Sequence, residues 1–409
     1  MTAGSVADRG AARAAGRLGQ LAGEGALDVL LRARALEAAG RRVAHLELGE
    51  PDFPTPPHVV EAALRALRDG DTRYTPPAGL PELRAAIAAS EAARGVAATP
   101  EQVVVTPGVK LALFYAALTL IEPGVEVLVP DPGFPIYPSV TRFAGGTPVP
   151  YGLRPADYGP DVDEIAARIT PRTRVLVLNG PHNPAGGTPD AGDLERLAEL
   201  VERHDLAVIT DDVYERITYA DGAERAPSLA TVPGLQDRLI LINGFSKAYA
   251  MTGWRLGYAV VPPALAERVS TLAVNGHTCV ATVVQRAGIA ALTGPQTAVR
   301  AMVAELRRRR DEVIRELAAI PGVTCPAPAG AFYAFPDVAA AVRPAGLSAD
   351  DLAARLLEDY GVAVLAGTAF GPRGAGHLRI SFGAPPEAVR LAVRQLRACL
   401  GALGDGSTA

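Results

Sequence analysis

Lysine occurs twice in this chain of 409 residues, at Lys110 and Lys247, while the other 38 of its 40 basic residues are arginine. On a solvated surface either cation serves, so a chain this biased toward arginine has little generic use for lysine. Lysine can lose its proton and attack a carbonyl, whereas the arginine pKa is too high for that. Codon bias with accidental survivors is the plain alternative, and the surroundings of each lysine decide between the two. Lys247 stands in Asn243-Gly-Phe-Ser-Lys-Ala-Tyr-Ala-Met-Thr-Gly-Trp-Arg-Leu-Gly-Tyr258, on a glycine-containing loop after a strand-like run. Arg255 follows eight residues later, and a fixed guanidinium there suits a phosphate gripped through two parallel hydrogen bonds. An amine beside a phosphate clamp points to a phosphorylated aldehyde held as a Schiff base.

Four further segments fit that chemistry. Thr106-Pro-Gly-Val-Lys-Leu-Ala-Leu-Phe114 reads as strand, glycine turn and helix, whose free N–H groups would hold an anion. The strand-like Leu206–Asp212 ends in Asp211 and Asp212, and a carboxylate at a buried strand end needs a positive partner. A protonated pyridine nitrogen is such a partner. Tyr214, and Asn183 in Asn179-Gly-Pro-His-Asn-Pro-Ala-Gly186, could each donate to a phenolate oxygen on the same ring; Pro181–Gly186 also reads as a simple turn. Phe134, in Asp131-Pro-Gly-Phe-Pro-Ile-Tyr137, could stack on a planar ring or serve as a core aromatic.

Stepping these segments apart, the chain alternates apolar runs with helix-period stretches. Strands are expected at Gln102–Thr106, Glu126–Pro130, Arg174–Asn179, Leu206–Asp212, Leu239–Gly244 and Gly257–Val261, with helices such as Leu111–Ile121 and Ala191–His204 between them. That alternation predicts an α/β fold with a mostly parallel sheet covered on both faces, and ligands in such sheets bind at the carboxyl ends of the strands. Beyond Ala264 the pattern is helical to about Ile320, with Arg307–Arg310 as a solvated helix face. A smaller α+β lobe follows, with strands at Ala331–Asp337, Val362–Gly367 and His377–Phe382 and helices at Ser348–Tyr360 and Pro386–Leu403.

Composition excludes several classes. The net charge of −4 gives no basic excess for nucleic acid, and no apolar run approaches the roughly 20 residues of a membrane span. The first 26 residues read as a flexible or arm-like segment. Cys279, Cys325 and Cys399 form no CxxC pair for a metal, and a reducing cytoplasm is the default setting for them. P-loop, HExxH, GxSxG and three-glycine dinucleotide motifs are missing.

Together these residues resemble the fold-type I, class I/II aminotransferases that depend on pyridoxal 5'-phosphate, and within them the bacterial aspartate and prephenate subgroup. The likeness runs from Leu48-Gly-Glu-Pro-Asp-Phe-Pro-Thr-Pro56 through Arg73-Tyr-Thr-Pro-Pro-Ala-Gly79 to His377-Leu-Arg-Ile-Ser381. It implies a large domain over 49–295 with a seven-stranded, mostly parallel sheet, a small domain over 296–409, and an arm with part of the small domain over 1–48. It also implies roles. Lys247 would carry the cofactor and shuttle the substrate proton, Asp211 would pair with the ring nitrogen, and Asn183 and Tyr214 would bond the ring oxygen. Phe134 would stack on the ring, and Gly108, Val109, Lys110 and Arg255 would surround the phosphate. Tyr74 would reach the phosphate of a neighbouring subunit, making a homodimer with shared active sites. Arg379 would hold the substrate carboxylate with Gly49 closing over it, beside Asn183.

By the same resemblance, Lys110 would pair with a distal carboxylate, which favours acidic amino acids and their 2-oxo acid partners. A lyase, cyclase or decarboxylase on this fold would keep the same core residues. An aminotransferase-like regulator would need an N-terminal DNA-binding domain, for which the residues before Gly49 are too few. Two positions and one segment depart from the family pattern: Gly244 where Ser is frequent, Ala185 where Thr is frequent, and Ala273–Val280, which lacks the expected Ser/Thr-rich character near the pocket mouth.

Overall fold

The structure is a computed structural model that describes residues 15–404. Seven strands assemble into one sheet: β2 (Val103–Thr106), β3 (Glu126–Pro130), β4 (Thr147–Tyr151), β5 (Thr173–Asn179), β6 (Ala207–Asp211), β7 (Leu239–Gly244) and β8 (Gly257–Val260). Their order is β2-β8-β7-β6-β5-β3-β4. All pairings are parallel except those of β8, which runs antiparallel to β2 and β7. The expected α/β architecture is therefore present. The strand that the apolar pattern misses is β4, Thr-Pro-Val-Pro-Tyr, because its two prolines cannot donate to a ladder. It lies at the sheet edge, where prolines are tolerated.

Alternation along the strands divides the core into two layers. Val103, Val105, Leu128, Leu176 and Leu241 face one side, where Leu197, Leu200 and Val201 of the helix Ala191–Arg203 cover them. Val104, Val127, Val129, Val175 and Ile242 face the other, under Ala112, Leu113 and Ala116 of the helix Val109–Leu120. Strands such as β2 and β7 are buried along their whole length, as a sheet sandwiched by helices requires. The first helix of these two starts cleanly because the Asp190 carboxylate accepts from the Asp193 amide in a capping box.

A third core, with Leu306, Val313, Leu352, Leu378, Ile380 and Leu396, belongs to the smaller lobe. Its helices are Thr297–Ala318, Ala349–Glu358 and Pro386–Gly404, and its strands are β9 (Tyr333–Ala334), β10 (Val362–Ala363), β11 (Leu365–Ala366) and β12 (Leu378–Ser381). β12 lies between β11 and β9, antiparallel to both, while β10 pairs in parallel with β1 (Ala44–His45). The expected strand at Ala331–Asp337 shrinks to β9, since Asp337 makes only isolated bridges to Thr324 and His377.

Of the N-terminal 26 residues, 1–14 lie outside the described residues. Residues 15–24 run against the helix Ile136–Phe143, with the Ala22 amide donating to Ser139 Oγ at 3.0 Å and Arg17 over the Phe143 ring, and Gly25 and Ala26 open the helix Gly25–Ala38. Among the described residues no helix is long and apolar enough to cross a membrane, and no cluster of metal-ligating side chains forms.

Candidate active site

The sheet register brings three strand ends to one level. Asn179 at the end of β5 is paired with Asp211 at the end of β6, and Asp211 with Ile242 near the end of β7. The loop after β7 carries Lys247. At these carboxyl ends a cavity of about 450 Å³ opens, lined by Gly49, Val109, Lys110, Phe134, Asn183, Asp211, Tyr214, Lys247, Arg255 and Arg379. Ten residues singled out by sequence therefore share one wall. Gly108 lies against Arg255 of this lining, while Tyr74 stands apart, 87% exposed.

Lys247 Nζ donates to the Gly49 carbonyl at 2.5 Å and lies 5.8 Å from the centre of the Tyr214 ring. Burial, reinforced by the Arg379 charge, lowers its pKa to about 8. About a tenth to a fifth of the amine is then neutral near physiological pH, against about a thousandth at the ordinary lysine value, and the neutral form is the nucleophile.

Asp211 and Asp212 are adjacent, buried and differently served. Asp212 forms an ion pair with Arg94 at 2.9 Å and accepts from Thr210 Oγ1 at 2.8 Å. Asp211 has no cation within salt-bridge reach among the described residues. Tyr137 donates to it at 2.9 Å and the Val213 amide at 3.3 Å. Burial pushes its pKa up to about 6, against the pull of Tyr137. It thus presents a carboxylate in want of a positive partner. Tyr137 was not foreseen, although it stands one helical turn beyond Phe134, whose ring it meets edge-on at 5.8 Å.

The anion cup forms where β2 turns into the helix Val109–Leu120. Gly108 has φ +91°, and a Cβ there would lie 2.2 Å from Arg255 Nη2. Only glycine lets the guanidinium lie across the turn. Arg255 is held by bonds to the Thr252 carbonyl at 3.0 Å and the Pro107 carbonyl at 3.4 Å, and its own φ is +59°, a strained value for a non-glycine residue at a functional loop. Gly244 explains itself here. It pairs with Gly257, and a Cβ on Gly244 would meet Val109 Cγ2 at 2.8 Å. A side chain at 244 would push the helix start away, and the hydroxyl facing the cavity comes from Ser246 instead.

Arg379, on β12, is 4% exposed. Its Nη1 donates to Asn183 Oδ1 at 3.1 Å, its Nη2 to the Glu47 carbonyl, and its Nε has no partner. The Tyr333 and Phe370 rings lie 4.6 and 4.9 Å from its guanidinium carbon. A buried guanidinium without a carboxylate is a receptor for one. The Tyr333 hydroxyl also meets that of Tyr214 at 2.8 Å. Nothing in the sequence pattern marked Tyr333. Lys110 lies at the mouth, 5.7 Å from the Phe134 ring centre and paired with Glu24, another residue not foreseen. The segment Ala273–Val280 is not part of this wall; His277 bonds Tyr115 at 2.8 Å instead.

One cavity thus brings together an amine of lowered pKa, a buried carboxylate without a cation, a guanidinium lying across a helix start and a buried guanidinium without a carboxylate. The family model for aminotransferase class I and II matches residues 41–396. The arginine–pyruvate transaminase of Pseudomonas aeruginosa is 40% identical over 384 residues, covering 93% of this chain and 96% of that protein. The aspartate/prephenate aminotransferase of Thermus thermophilus is 40% identical over 381 residues, covering 91% and 95%. The crystal structure of the aspartate aminotransferase from Rhizobium meliloti superposes with a TM-score of 0.89 at 36% identity, covering 95% and 99%.

Proposed function

The chain belongs to the class I and II aminotransferases, enzymes that use pyridoxal 5'-phosphate, and we propose that the cavity between Lys247 and Arg379 is where it moves an amino group from an L-amino acid to a 2-oxo acid. The observation that carries this reading is the convergence of Lys247, Asp211 and Arg379 on one cavity.

The residues fit the cofactor. Asp211 lacks a cation and would take the ring nitrogen, the turn at Gly108–Lys110 and Arg255 would take the phosphate, and Lys247 would take the aldehyde. Asn183 and Tyr214 would donate to the ring oxygen and Phe134 would cover a ring face. When bound, the cofactor supplies an aldehyde for amines and a ring that accepts electrons from the substrate Cα.

The chain's own residues do the rest. Arg379 binds the α-carboxylate, and the rings of Tyr333 and Phe370 fix the plane of its fork. Lys247, freed by the incoming amine, takes the proton from Cα as general base and returns it during transfer, a task for which its lowered pKa suits it. Gly49 holds Lys247 through its carbonyl and closes over the substrate.

For the substrate, Lys110 at the cavity mouth supports an acidic side chain through its ammonium. The assembly we infer is a homodimer. Tyr74 at 87% exposure, with Leu64, Leu67, Leu118 and Val274 also exposed, supports a partner surface on which Tyr74 reaches the other subunit's phosphate. Free Cys279, Cys325 and Cys399 suit a reducing cytoplasm. We take 49–295 as the cofactor domain, with the described parts of 1–48 making the arm and part of the small domain and those of 296–409 the rest of it.

The test is a half-reaction. The cofactor-loaded protein is mixed with glutamate or aspartate, without a 2-oxo acid, and the cofactor's visible absorbance is followed. Bleaching with release of one 2-oxo acid per site is expected. Persistence of the band across the common amino acids would instead favour elimination or decarboxylation chemistry. Light scattering at a dimer mass is expected alongside.

A further inference from the structure

Glu24 immediately precedes the helix Gly25–Ala38, but its side chain does not cap that helix. Its carboxylate turns into the cavity, where it accepts from Lys110 Nζ across 86 positions of sequence. The segment is pinned two residues earlier by the Ala22–Ser139 hydrogen bond. Glu24 is also among the acidic groups whose field reaches Arg379. A carboxylate from the protein itself therefore sits on the ammonium that an acidic substrate needs.

We propose that Glu24 competes with the substrate's distal carboxylate for Lys110 and so sets how strongly the enzyme prefers acidic over uncharged amino acids. This rests on the reading of Lys110 as the distal-carboxylate receptor. A lone ammonium at the mouth would favour carboxylates and penalise any uncharged side chain that strips its water. With Glu24 in place the ammonium is already neutralised, so an uncharged side chain enters at little cost. A carboxylate must displace Glu24, and the two negative groups repel while it does. The pair is partly open, with side-chain exposures of 47% for Lys110 and 28% for Glu24. Pairs of that kind contribute little, equivalent to roughly threefold to fivefold in binding. The device therefore tunes the preference without closing the site to either class.

The experiment uses the cofactor-loaded enzyme and its Glu24→Gln, Lys110→Ala and double variants, with Glu24→Ala as a second removal of the charge. Two quantities are read: the ratio of kcat/KM for aspartate over alanine, and calorimetric binding of succinate, a dicarboxylate that cannot react. Glu24→Gln should raise the ratio and tighten succinate by about threefold to fivefold, Lys110→Ala should lower both, and Glu24→Gln should add nothing in the Lys110→Ala background. If Lys110→Ala lowers both while neither Glu24 variant moves them, the competition is refuted and the acidic reading of Lys110 stands. If Lys110→Ala leaves both unchanged, the acidic reading fails and the competition fails with it.

Discussion

Replacing Arg379 by lysine keeps the charge and removes the fork. The structure lets the loss be worked out. Arg379 Nη1 and Nη2 each give one N–H, to Asn183 and to the Glu47 carbonyl, and the second N–H on each, with the unpartnered Nε, leaves a two-donor edge for an incoming carboxylate. A lysine ammonium has three donors and no plane. With two of them facing the same acceptors, it offers the substrate one bond where the guanidinium offers two. One charge-assisted hydrogen bond contributes about 1.5–3 kcal/mol, so kcat/KM should fall roughly 10- to 150-fold. Because the carboxylate is gripped in ground state and transition state alike, most of the loss should appear in KM. Steady-state kinetics with a good donor measure this. The same donor as its α-amide supplies the partner arm of a double-mutant cycle: wild type should lose heavily on the amide, and Arg379→Lys should lose much less. A variant whose kcat/KM stays within threefold of wild type, or that discriminates acid from amide as wild type does, would refute the placement of the α-carboxylate at Arg379.

Lys247→Arg should fold with an unchanged circular-dichroism melt and show no turnover, because a guanidinium stays protonated at any working pH. With Lys247 at about pKa 8, the rate at which cofactor-free protein takes up pyridoxal 5'-phosphate should rise with pH and level off above about 8; a midpoint near the ordinary lysine value of 10.5 would contradict the burial argument. Gly108→Ala should weaken cofactor binding and cost about 1–3 kcal/mol in stability, read by equilibrium dialysis and urea unfolding, since its φ of +91° and the contact with Arg255 both oppose a Cβ. Asp211→Asn should make the cofactor-free protein more stable at pH 7 by up to about 3 kcal/mol, the worth of a pKa raised from 3.8 to about 6, while lowering turnover; urea unfolding at pH 4 and pH 7 should show the gain only at the higher pH, because the penalty builds as pH rises through that interval.

The parts of the site most legible in sequence are those that strand ends deliver. Asn179, Asp211 and the loop with Lys247 follow apolar runs buried on both faces, and parallel register forces such ends to one level. The anion cup was legible for the same reason, a glycine between a strand and a helix. Arg379 and Tyr74 came only through the family likeness, because nothing local distinguishes an arginine on a short small-lobe strand or a tyrosine in a loop. Tyr137 and Tyr333 were invisible for a different reason: each acts by holding another site residue, and such a contact is made between elements, not along one. Glu24 was hidden by its surroundings, an Ala- and Gly-rich arm whose composition carries no periodic signal. Gly244 looked like a missing serine, whereas the close approach of Val109 to the Gly244–Gly257 pair makes its bare backbone a packing requirement.

The contrast between Asp211 and Asp212 shows how function is written into electrostatics. Both stand at the end of β6, both are buried, and one residue of register separates them. A period of two sends them to opposite faces of the sheet. Asp212 meets Arg94, which it shares with Glu91, so a cation of the protein stands beside its charge. Asp211 points into the cavity and meets only neutral donors, so its ionised form is penalised. A fold selected for stability alone would have given Asp211 a cation or replaced it. Arg94 and Arg379 show that this sequence can bury guanidinium groups, so the lack of one beside Asp211 is not a limit of the fold. On the reading proposed above, the carboxylate is held instead for a positive charge that arrives with the cofactor. On that argument the instability of Asp211 and the affinity of the cavity for a protonated ring nitrogen are the same free energy, stored in one state and recovered in the other.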